Sequence, residues 1–101
     1  MGGNAIWATI YESLLPAGFH RVTFGASATL ASLFGAAVQS GIKHLAVIPD
    51  STATATWNQS GPADANSAPV TMPGLVIPIN KAVADTLQVY GTGKGLILEI
   101  G

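Results

Sequence analysis

Residues 52–57 read Thr52-Ala53-Thr54-Ala55-Thr56-Trp57, so threonine alternates with apolar side chains. A period of two places the threonines on one face of a β-strand and the two alanines and Trp57 on the other. Threonine suits the half-exposed face of a sheet, and the Trp57 indole can fill space that the alanines leave. The stretch therefore predicts a strand that turns its Trp57 face towards a core.

Short apolar runs punctuated by turn formers extend this pattern in both directions. The chain contains 12 Gly and 6 Pro, and residues of this kind at short spacing are typical of strands joined by turns. Further strands are predicted at residues 19–24, 45–48, 70–72, 75–79, 87–90 and 96–100. The sequence predicts an all-β domain, either a compact β-sandwich or a jelly-roll-like barrel, with about six to eight short strands.

The connections between these strands carry their own signals. Residues 58–69 are rich in turn formers and predict a surface loop. Pro78 inside an apolar run predicts an edge or bulged strand, because proline cannot donate to a sheet ladder. The runs on either side of Gly91-Thr92-Gly93-Lys94-Gly95 predict a hairpin. The glycine-rich loop departs from the phosphate-binding pattern, which requires Gly at position 88 and Ser or Thr at position 95.

One internal segment has a helical period. Leu30, Leu33, Phe34, Ala37 and Val38 recur at the spacing of a helical stripe, with Ser27 available as a cap and Gly41 as an end. Gly35 weakens a helix by about 1 kcal/mol relative to alanine. We therefore expect a strand or turn near residues 28–33 and at most one short helix, of one or two turns, around residues 33–38.

Residues 1–17 are interpreted as an N-terminal arm, and residues 18–101 as the β domain. The arm carries an apolar stripe at helical spacing, and a segment this short is not stable alone. It either packs on its own domain or docks on a neighbouring subunit. Its interface candidates are Ile6, Trp7, Ile10, Tyr11, Leu14 and Leu15.

The composition favours an assembly role over binding to nucleic acid or membrane. Charged residues make up 9% of the chain and hydrophobic residues 49%, whereas charged residues are typically about 25%. A weakly charged exterior indicates a surface that neighbours cover. The net charge is −1, so phosphate neutralisation is not supported. No apolar run reaches the roughly 20 residues of a membrane helix.

The residues that commonly carry chemistry do not form a recognisable pattern. Cysteine is absent, and the sequence lacks HExxH and GxSxG motifs. His20 and His44 are interpreted as surface or strand-end residues. We expect no catalytic residues, no metal site and no cofactor, and therefore no enzymatic activity.

From Ala28 onward, the order of features resembles that of a known group of proteins. Leu30-Ala-Ser-Leu-Phe-Gly-Ala-Ala37 leads through Gly41-Ile-Lys43 to residues 45–48, and a strand ending at Trp57 precedes a Ser-Gly-Pro-Ala loop, Met72-Pro73-Gly74 and a closing hairpin. This order is similar to that of small β-sandwich virion structural proteins of tailed bacteriophages. The N-terminal arm is not part of the resemblance.

The resemblance implies a capsid decoration, or cement, subunit. Such a protein is made in the host bacterial cytoplasm, binds the outer shell of the virion between capsomers and stabilises it. Its partners would be the major capsid protein and copies of itself, as a homotrimer. Trp7, Tyr11 and Trp57 are the first candidates for anchors, although Trp57 also suits a core position. Two alternatives remain: a tail or head–tail connector component, and a receptor- or carbohydrate-binding module that uses loop 58–69.

Overall fold

The structure, a computed structural model, describes residues 12–71 and 74–101. These residues form eight β-strands and two short helices. The first half contains β1 (Leu14–Thr23), β2 (Ala28–Thr29), α1 (Leu30–Phe34), β3 (His44–Pro49) and β4 (Thr54–Asn58). The second half contains β5 (Ala68–Pro69), β6 (Leu75–Pro78), α2 (Lys81–Ala84), β7 (Gln88–Thr92) and β8 (Lys94–Ile100).

The strands form two four-stranded antiparallel sheets. The first sheet has the order β1-β8-β3-β6 and the second has the order β2-β7-β4-β5. Side chains from both sheets meet in one core, in which Leu45 and Ile97 of the first sheet join Ala55 and Val89 of the second. The predicted all-β sandwich is confirmed.

The alternation at residues 52–57 has the predicted outcome. Ala55 is buried, and Ala53 and Trp57 pack against the core. Thr54 lies on the opposite face, where its hydroxyl is 2.9 Å from that of Thr92 on β7. The Thr-Ala repeat thus gives the strand one face that points into the core and one polar face.

The helices differ from the prediction in position and in number. α1 begins after Thr29, whose side-chain oxygen accepts a hydrogen bond from the Ser32 N–H at 3.3 Å. It ends at Gly35, which has a left-handed φ of 70° and donates to the Ala31 carbonyl at 2.9 Å. The strand expected near residues 28–33 is present only at Ala28–Thr29, as β2, and residues 30–34 form the helix, because Gly35 ends it instead of interrupting it. A second helix, α2, was not predicted; the Asn80 side chain caps it.

The predicted hairpin at residues 87–100 is wrong, since its two strands belong to different sheets. β7 pairs with β2 and β4, whereas β8 pairs with β1 and β3. Gly93, with φ of 79°, is the one residue between them. A Cβ on Gly91 would lie 2.0 Å from the Thr54 carbonyl oxygen, and one on Gly95 would lie 2.7 Å from that of Ile48. The glycines allow backbones to approach closely where the chain passes from one sheet to the other.

The strand that contains Pro78 lies at the edge of the first sheet, as predicted. Of the predicted loop at residues 58–69, residues 59–67 are a loop, whereas Asn58 ends β4 and Ala68 and Pro69 form β5 at the edge of the second sheet. A proline in each of these edge strands removes a donor that another strand could use. Both edges are therefore poor templates for further pairing.

β1 forms the other edge of the first sheet and contains a bulge. It runs from Leu14 to Thr23 and so crosses the boundary predicted between residues 17 and 18. Its register with β8 shifts between Leu14 and Phe19, and Ala17 has a positive φ of 54°. A Cβ on Gly18 would lie 2.7 Å from the Glu99 carbonyl oxygen. The Pro16-Ala17-Gly18 signal thus marks a β-bulge within the first strand.

Candidate interaction surfaces

The first sheet has an apolar outer face as well as its core face. Pairing across all four strands aligns Phe19, Leu98, Ala46 and Val76 in one row. Residues on this side form a cluster separate from the core between the sheets. We call this side the outer apolar face, defined by Leu14, Phe19, Ala46, Ile48, Val76, Leu98 and Ile100. A sheet in an antiparallel sandwich commonly exposes polar side chains on its outer side, so this composition calls for a physical reason.

Phe19 is the exposed part of the outer apolar face. Among residues 12–71 and 74–101, it is the one large apolar side chain that is exposed, at 53%. It lies on β1, which has β8 as its single neighbour in the described part of the sheet. A large aromatic ring at a sheet edge offers apolar area and backbone pairing groups to the same partner.

An ion pair spans the outer side of the first sheet near Phe19. The Arg21 guanidinium donates to both carboxylate oxygens of Asp50, at 2.7 and 2.6 Å. These hydrogen bonds lower the pKa of Asp50 and raise the pKa of Arg21. Because both groups are exposed, the pair contributes little to stability. Its main effect is to leave the border of the apolar face without net charge.

A buried carboxylate lies beneath the bulge of β1. Glu99 is 1% exposed, and its Oε1 is 2.6 Å from His20 Nε2. Its Oε2 accepts the backbone N–H of Gln39 at 2.8 Å, and the Gln39 side chain donates to the Pro16 carbonyl at 2.6 Å. The His20 ring stacks on Phe34 with centroids 3.7 Å apart. We call these residues (His20, Gln39 and Glu99) the Glu99 cluster.

The Glu99 cluster ties three segments to the core. It joins the bulge of β1, the loop after α1 and the last strand, which makes it a structural polar network. Both carboxylate oxygens of Glu99 take part in hydrogen bonds, Oε1 with His20 and Oε2 with the Gln39 backbone N–H. The arrangement is suited to holding the bulge in place.

Sequence reasoning missed this cluster. His20 was placed at the surface or a strand end, yet it lies within β1 with a side chain only 15% exposed. His44 is exposed, as predicted. The sequence did contain one indication of it. Glu99 is two residues after Ile97 in an apolar strand, so both side chains point to the same face, which is the core face.

Trp57 occupies a position between core and surface. It packs against the core cluster and also lines a cleft of about 390 Å³. The indole Nε1 is buried and has no hydrogen-bond partner among the described residues. The cleft is lined by Ile42, Lys43, Trp57, Gln59, Ile77, Pro78, Ile79, Asn80, Val83 and Leu87. Both roles weighed for Trp57, in the core and at a surface, remain compatible with this position.

The predicted arm residues are only partly within the described structure. Ile6, Trp7, Ile10 and Tyr11 lie outside the described residues. Leu14 packs on the outer apolar face, whereas Leu15 packs against the core between the sheets. These two leucines are in a strand and point to opposite faces, so the helical stripe does not extend to them.

No family model, curated protein or solved structure matches the chain. In residues 12–71 and 74–101, no helix is long and apolar enough to span a membrane. The same residues contain no group of three or more His, Cys, Asp or Glu side chains that could hold a metal ion.

Proposed function

We propose that this chain is a non-enzymatic virion structural protein of the capsid decoration type. It binds the outer shell between capsomers, and it associates with copies of itself and with the major capsid protein. The observation that carries the proposal is Phe19, a large apolar side chain that is 53% exposed on the edge strand of an apolar sheet face. Exposed aromatic residues of this kind commonly act as anchors at protein interfaces.

The charge distribution supports contact with other proteins through neutral surfaces. The chain has nine Asp, Glu, Lys and Arg residues. Four of these pair with each other, as Arg21 with Asp50 and Lys81 with Asp85, and Glu99 is buried. The centre of a protein interface is typically depleted in charged residues. A shell-binding subunit with this composition gains affinity from apolar area and hydrogen bonds.

The edge of β1 that has no strand partner among residues 12–71 and 74–101 provides a second element of such an interface. Pro16 and the bulge interrupt its first half, whereas residues 19–23 pair with β8 in a regular register. An edge strand can add a strand from a partner through backbone hydrogen bonds. Phe19, at the start of this regular part, would give the added strand an apolar contact.

Cryo-electron microscopy of virions tests the location directly. Virions from the genome that encodes this chain are compared with virions in which the gene carries an early stop codon. The expected difference is density on the outer shell at the junctions between capsomers. Difference density at the portal vertex or on the tail would replace this proposal with a connector or tail role, and no difference would overturn both.

The Trp57 cleft supports a second candidate, a receptor- or carbohydrate-binding module. Gln59 of the predicted recognition loop lines this cleft together with the indole, and indole faces commonly stack on sugars and other flat or apolar ligand surfaces. A glycan array distinguishes this candidate. Binding that is lost in Trp57→Ala and retained in Phe19→Ala favours it, whereas an array without signal rejects it.

A further inference from the structure

Phe19 is the exposed end of an otherwise covered row of side chains. It is 53% exposed, whereas Leu98 and Ala46, which follow it across the first sheet, are 0% exposed. In the described part of the chain, no other large apolar side chain is exposed. An exposed aromatic ring beside an apolar surface is typical of a contact site for another molecule.

The Trp57 cleft is an apolar cavity of suitable size for such a ring. Its buried lining consists of side chains that are at most 8% exposed, namely Ile42, Ile77, Ile79 and Leu87. The cleft has a volume of about 390 Å³, whereas an apolar cavity of about 150 Å³ suffices to bind benzene. A phenyl ring therefore fits, and the apolar lining offers it the burial that it lacks on its own chain.

Phe19 and the Trp57 cleft lie at opposite edges of the first sheet. Phe19 is on β1, at one end of the order β1-β8-β3-β6. At the other end, β6 and the residue after it contribute Ile77, Pro78 and Ile79 to the cleft. Three strand spacings separate these edges by about 14 Å, so Phe19 does not fill the cleft of its own chain. The cleft of a second copy is open to it.

We propose that Phe19 of one copy fills the Trp57 cleft of the next copy, as a head-to-tail contact. The inference rests on the self-association within the proposed function and names the two surfaces that carry it. A ring of three copies requires a heterologous contact of this kind, in which each copy uses two different patches. A contact of Phe19 with Phe19 across a twofold axis would use one patch and would stop at a dimer. A closed ring instead fills every cleft and buries every Phe19.

The charges of the two surfaces are compatible with such a contact. Lys43 is the one charged side chain among the described residues that line the cleft, and the ion pairs of the described residues do not include it. At the border of Phe19, the carboxylate of Asp50 is 43% exposed and has acceptor positions beyond those that Arg21 uses. A head-to-tail contact therefore brings a lysine towards an exposed carboxylate, which is the complementarity that favours a specific interface.

Complementation between two variants tests this inference. Phe19→Ala removes the ring and keeps the cleft, whereas Gln59→Trp keeps the ring and places an indole at the exposed rim of the cleft. Each variant alone is expected to associate about thirtyfold more weakly than the unmodified chain, which is the loss typical of an interface anchor. A 1:1 mixture is expected to form dimers that grow no further, because it has one ring and one open cleft for each pair of chains.

Sedimentation velocity measures these species, with Ser60→Trp as the matched control. Ser60 is exposed and adjacent to Gln59 but does not line the cleft, so Ser60→Trp should associate as the unmodified chain does. Dimers that form in the mixture and not in either variant alone support the inference. A mixture that stays monomeric while the unmodified chain associates overturns it, as does an equal loss in Ser60→Trp and Gln59→Trp.

Photo-crosslinking is a second measurement that does not need a blocked cleft. A diazirine-bearing phenylalanine at position 19 keeps an aromatic ring there, and mass spectrometry identifies the residues that it labels in an isotopically labelled second copy. Labelling of cleft residues such as Gln59 and Val83 is expected. Labelling of β1 in the second copy, or no labelling, overturns the inference, and this holds even where Gln59→Trp fails to fold or to close the cleft.

These outcomes are distinguishable from those that test the proposed function. Density between capsomers together with a chain that stays monomeric would overturn the head-to-tail contact alone. Dimers in the mixture together with virions that show no difference density would contradict the role on the shell and support the contact between copies. A monomeric mixture together with glycan binding that is lost in Trp57→Ala would assign the cleft to a sugar and overturn the inference.

Discussion

At the scale of single residues, Glu99 is the described side chain whose burial depends most on hydrogen-bond partners. Its carboxylate is closed to solvent and depends on His20 and on the Gln39 backbone N–H. His20→Ala removes one partner and leaves the hydrogen bonds from the Gln39 backbone and side chain in place. We expect it to lower the free energy of unfolding by about 1–3 kcal/mol, because an oxygen of the buried carboxylate loses a hydrogen-bond partner.

Urea denaturation checks this prediction, with His44→Ala as the control. His44 is exposed, so its replacement should change the free energy of unfolding by no more than about 0.5 kcal/mol. The double variant His20→Ala with Glu99→Leu should recover part of the loss, because no unpaired carboxylate remains. Equal losses in His20→Ala and His44→Ala would contradict a stabilising role for the Glu99 cluster.

We expect the Arg21–Asp50 ion pair to make a small, pH-dependent contribution to the free energy of unfolding. The pKa of Asp50 lies below its ordinary value of 3.8 in the folded chain because Arg21 donates hydrogen bonds to it. A lowered carboxyl pKa adds stability above the ordinary value, and this is lost as the pH falls through the folded pKa. Arg21→Gln should therefore be slightly less stable than the unmodified chain at pH 7, and the difference should disappear in strong acid.

Thermal unfolding at pH 7 and through the acid range measures that difference. High salt should reduce it as well, since the pair is exposed. In the Arg21→Gln background, Asp50→Asn should change the pH dependence less than it does in the unmodified chain, because only the weaker attraction of Lys94 then acts on Asp50. A difference that persists unchanged to the lowest pH would show that Arg21 acts through packing and not through its charge.

The sequence predicted the position of a single residue where a local pattern, such as alternation or a proline within a strand, was unambiguous. The core-facing side of Trp57 followed from the Thr-Ala alternation, and the edge position of β6 followed from Pro78. The pairing of His20 with Glu99 could not be read from the sequence, because these residues are 79 positions apart. Their contact depends on β1 and β8 being neighbours, which no local pattern specifies.

At the scale of elements, the glycines between β7 and β8 decide how the chain passes between sheets. Gly91→Ala would place a Cβ 2.0 Å from the Thr54 carbonyl oxygen, so β4 and β7 must separate. Overpacking of this kind costs about 1–3 kcal/mol, and backbone atoms cannot move aside as a flexible side chain does. Gly91→Ala should therefore be clearly destabilising.

Gly25→Ala is the matched control for this test. A Cβ on Gly25 meets nothing within 4 Å, so the substitution should be neutral or stabilise the chain by up to about 1 kcal/mol. Both variants are compared by their urea midpoints. Similar midpoints for the two would mean that the close approach of β4 and β7 is not a constraint on the fold.

The positions of the strands were easier to predict than the pairing between them. Apolar runs and alternation located the strands, because burial on one face requires a period of two. The same runs predicted a hairpin at residues 87–100, since a glycine-rich link between two strands does not reveal whether they share a sheet. The helix near residue 30 was displaced for a similar reason: a stripe of apolar residues does not indicate that Thr29 caps it and Gly35 ends it.

At the scale of the whole molecule, the described residues of the first sheet contribute to two apolar clusters and those of the second sheet to one. The main core lies between the sheets, and a smaller cluster lies on the outer side of the first sheet. The sequence indicated this excess of apolar surface through its low charge, but it could not indicate where the surface lies. With the centre of the outer apolar face closed, the border around Phe19 becomes the apolar area available to a partner.

Phe19→Ala should weaken self-association without unfolding the chain. The side chain is 53% exposed, so its loss should change the stability of one subunit little. Anchors at interfaces typically contribute 2 kcal/mol or more, which corresponds to a loss of affinity of about thirtyfold. Sedimentation velocity over a range of concentrations should show trimers or larger assemblies for the unmodified chain and a shift towards monomer for Phe19→Ala.

Thr23→Ala is the control for this comparison, because Thr23 is exposed on the same strand and carries no large apolar group. It should associate as the unmodified chain does. If Phe19→Ala and Thr23→Ala have the same effect, Phe19 is not the anchor, and the backbone of β1 at the edge of the described sheet is left as the contact. If the unmodified chain is a monomer at every concentration, the self-association in the proposed function is wrong, and affinity for the shell must then come from the shell protein alone.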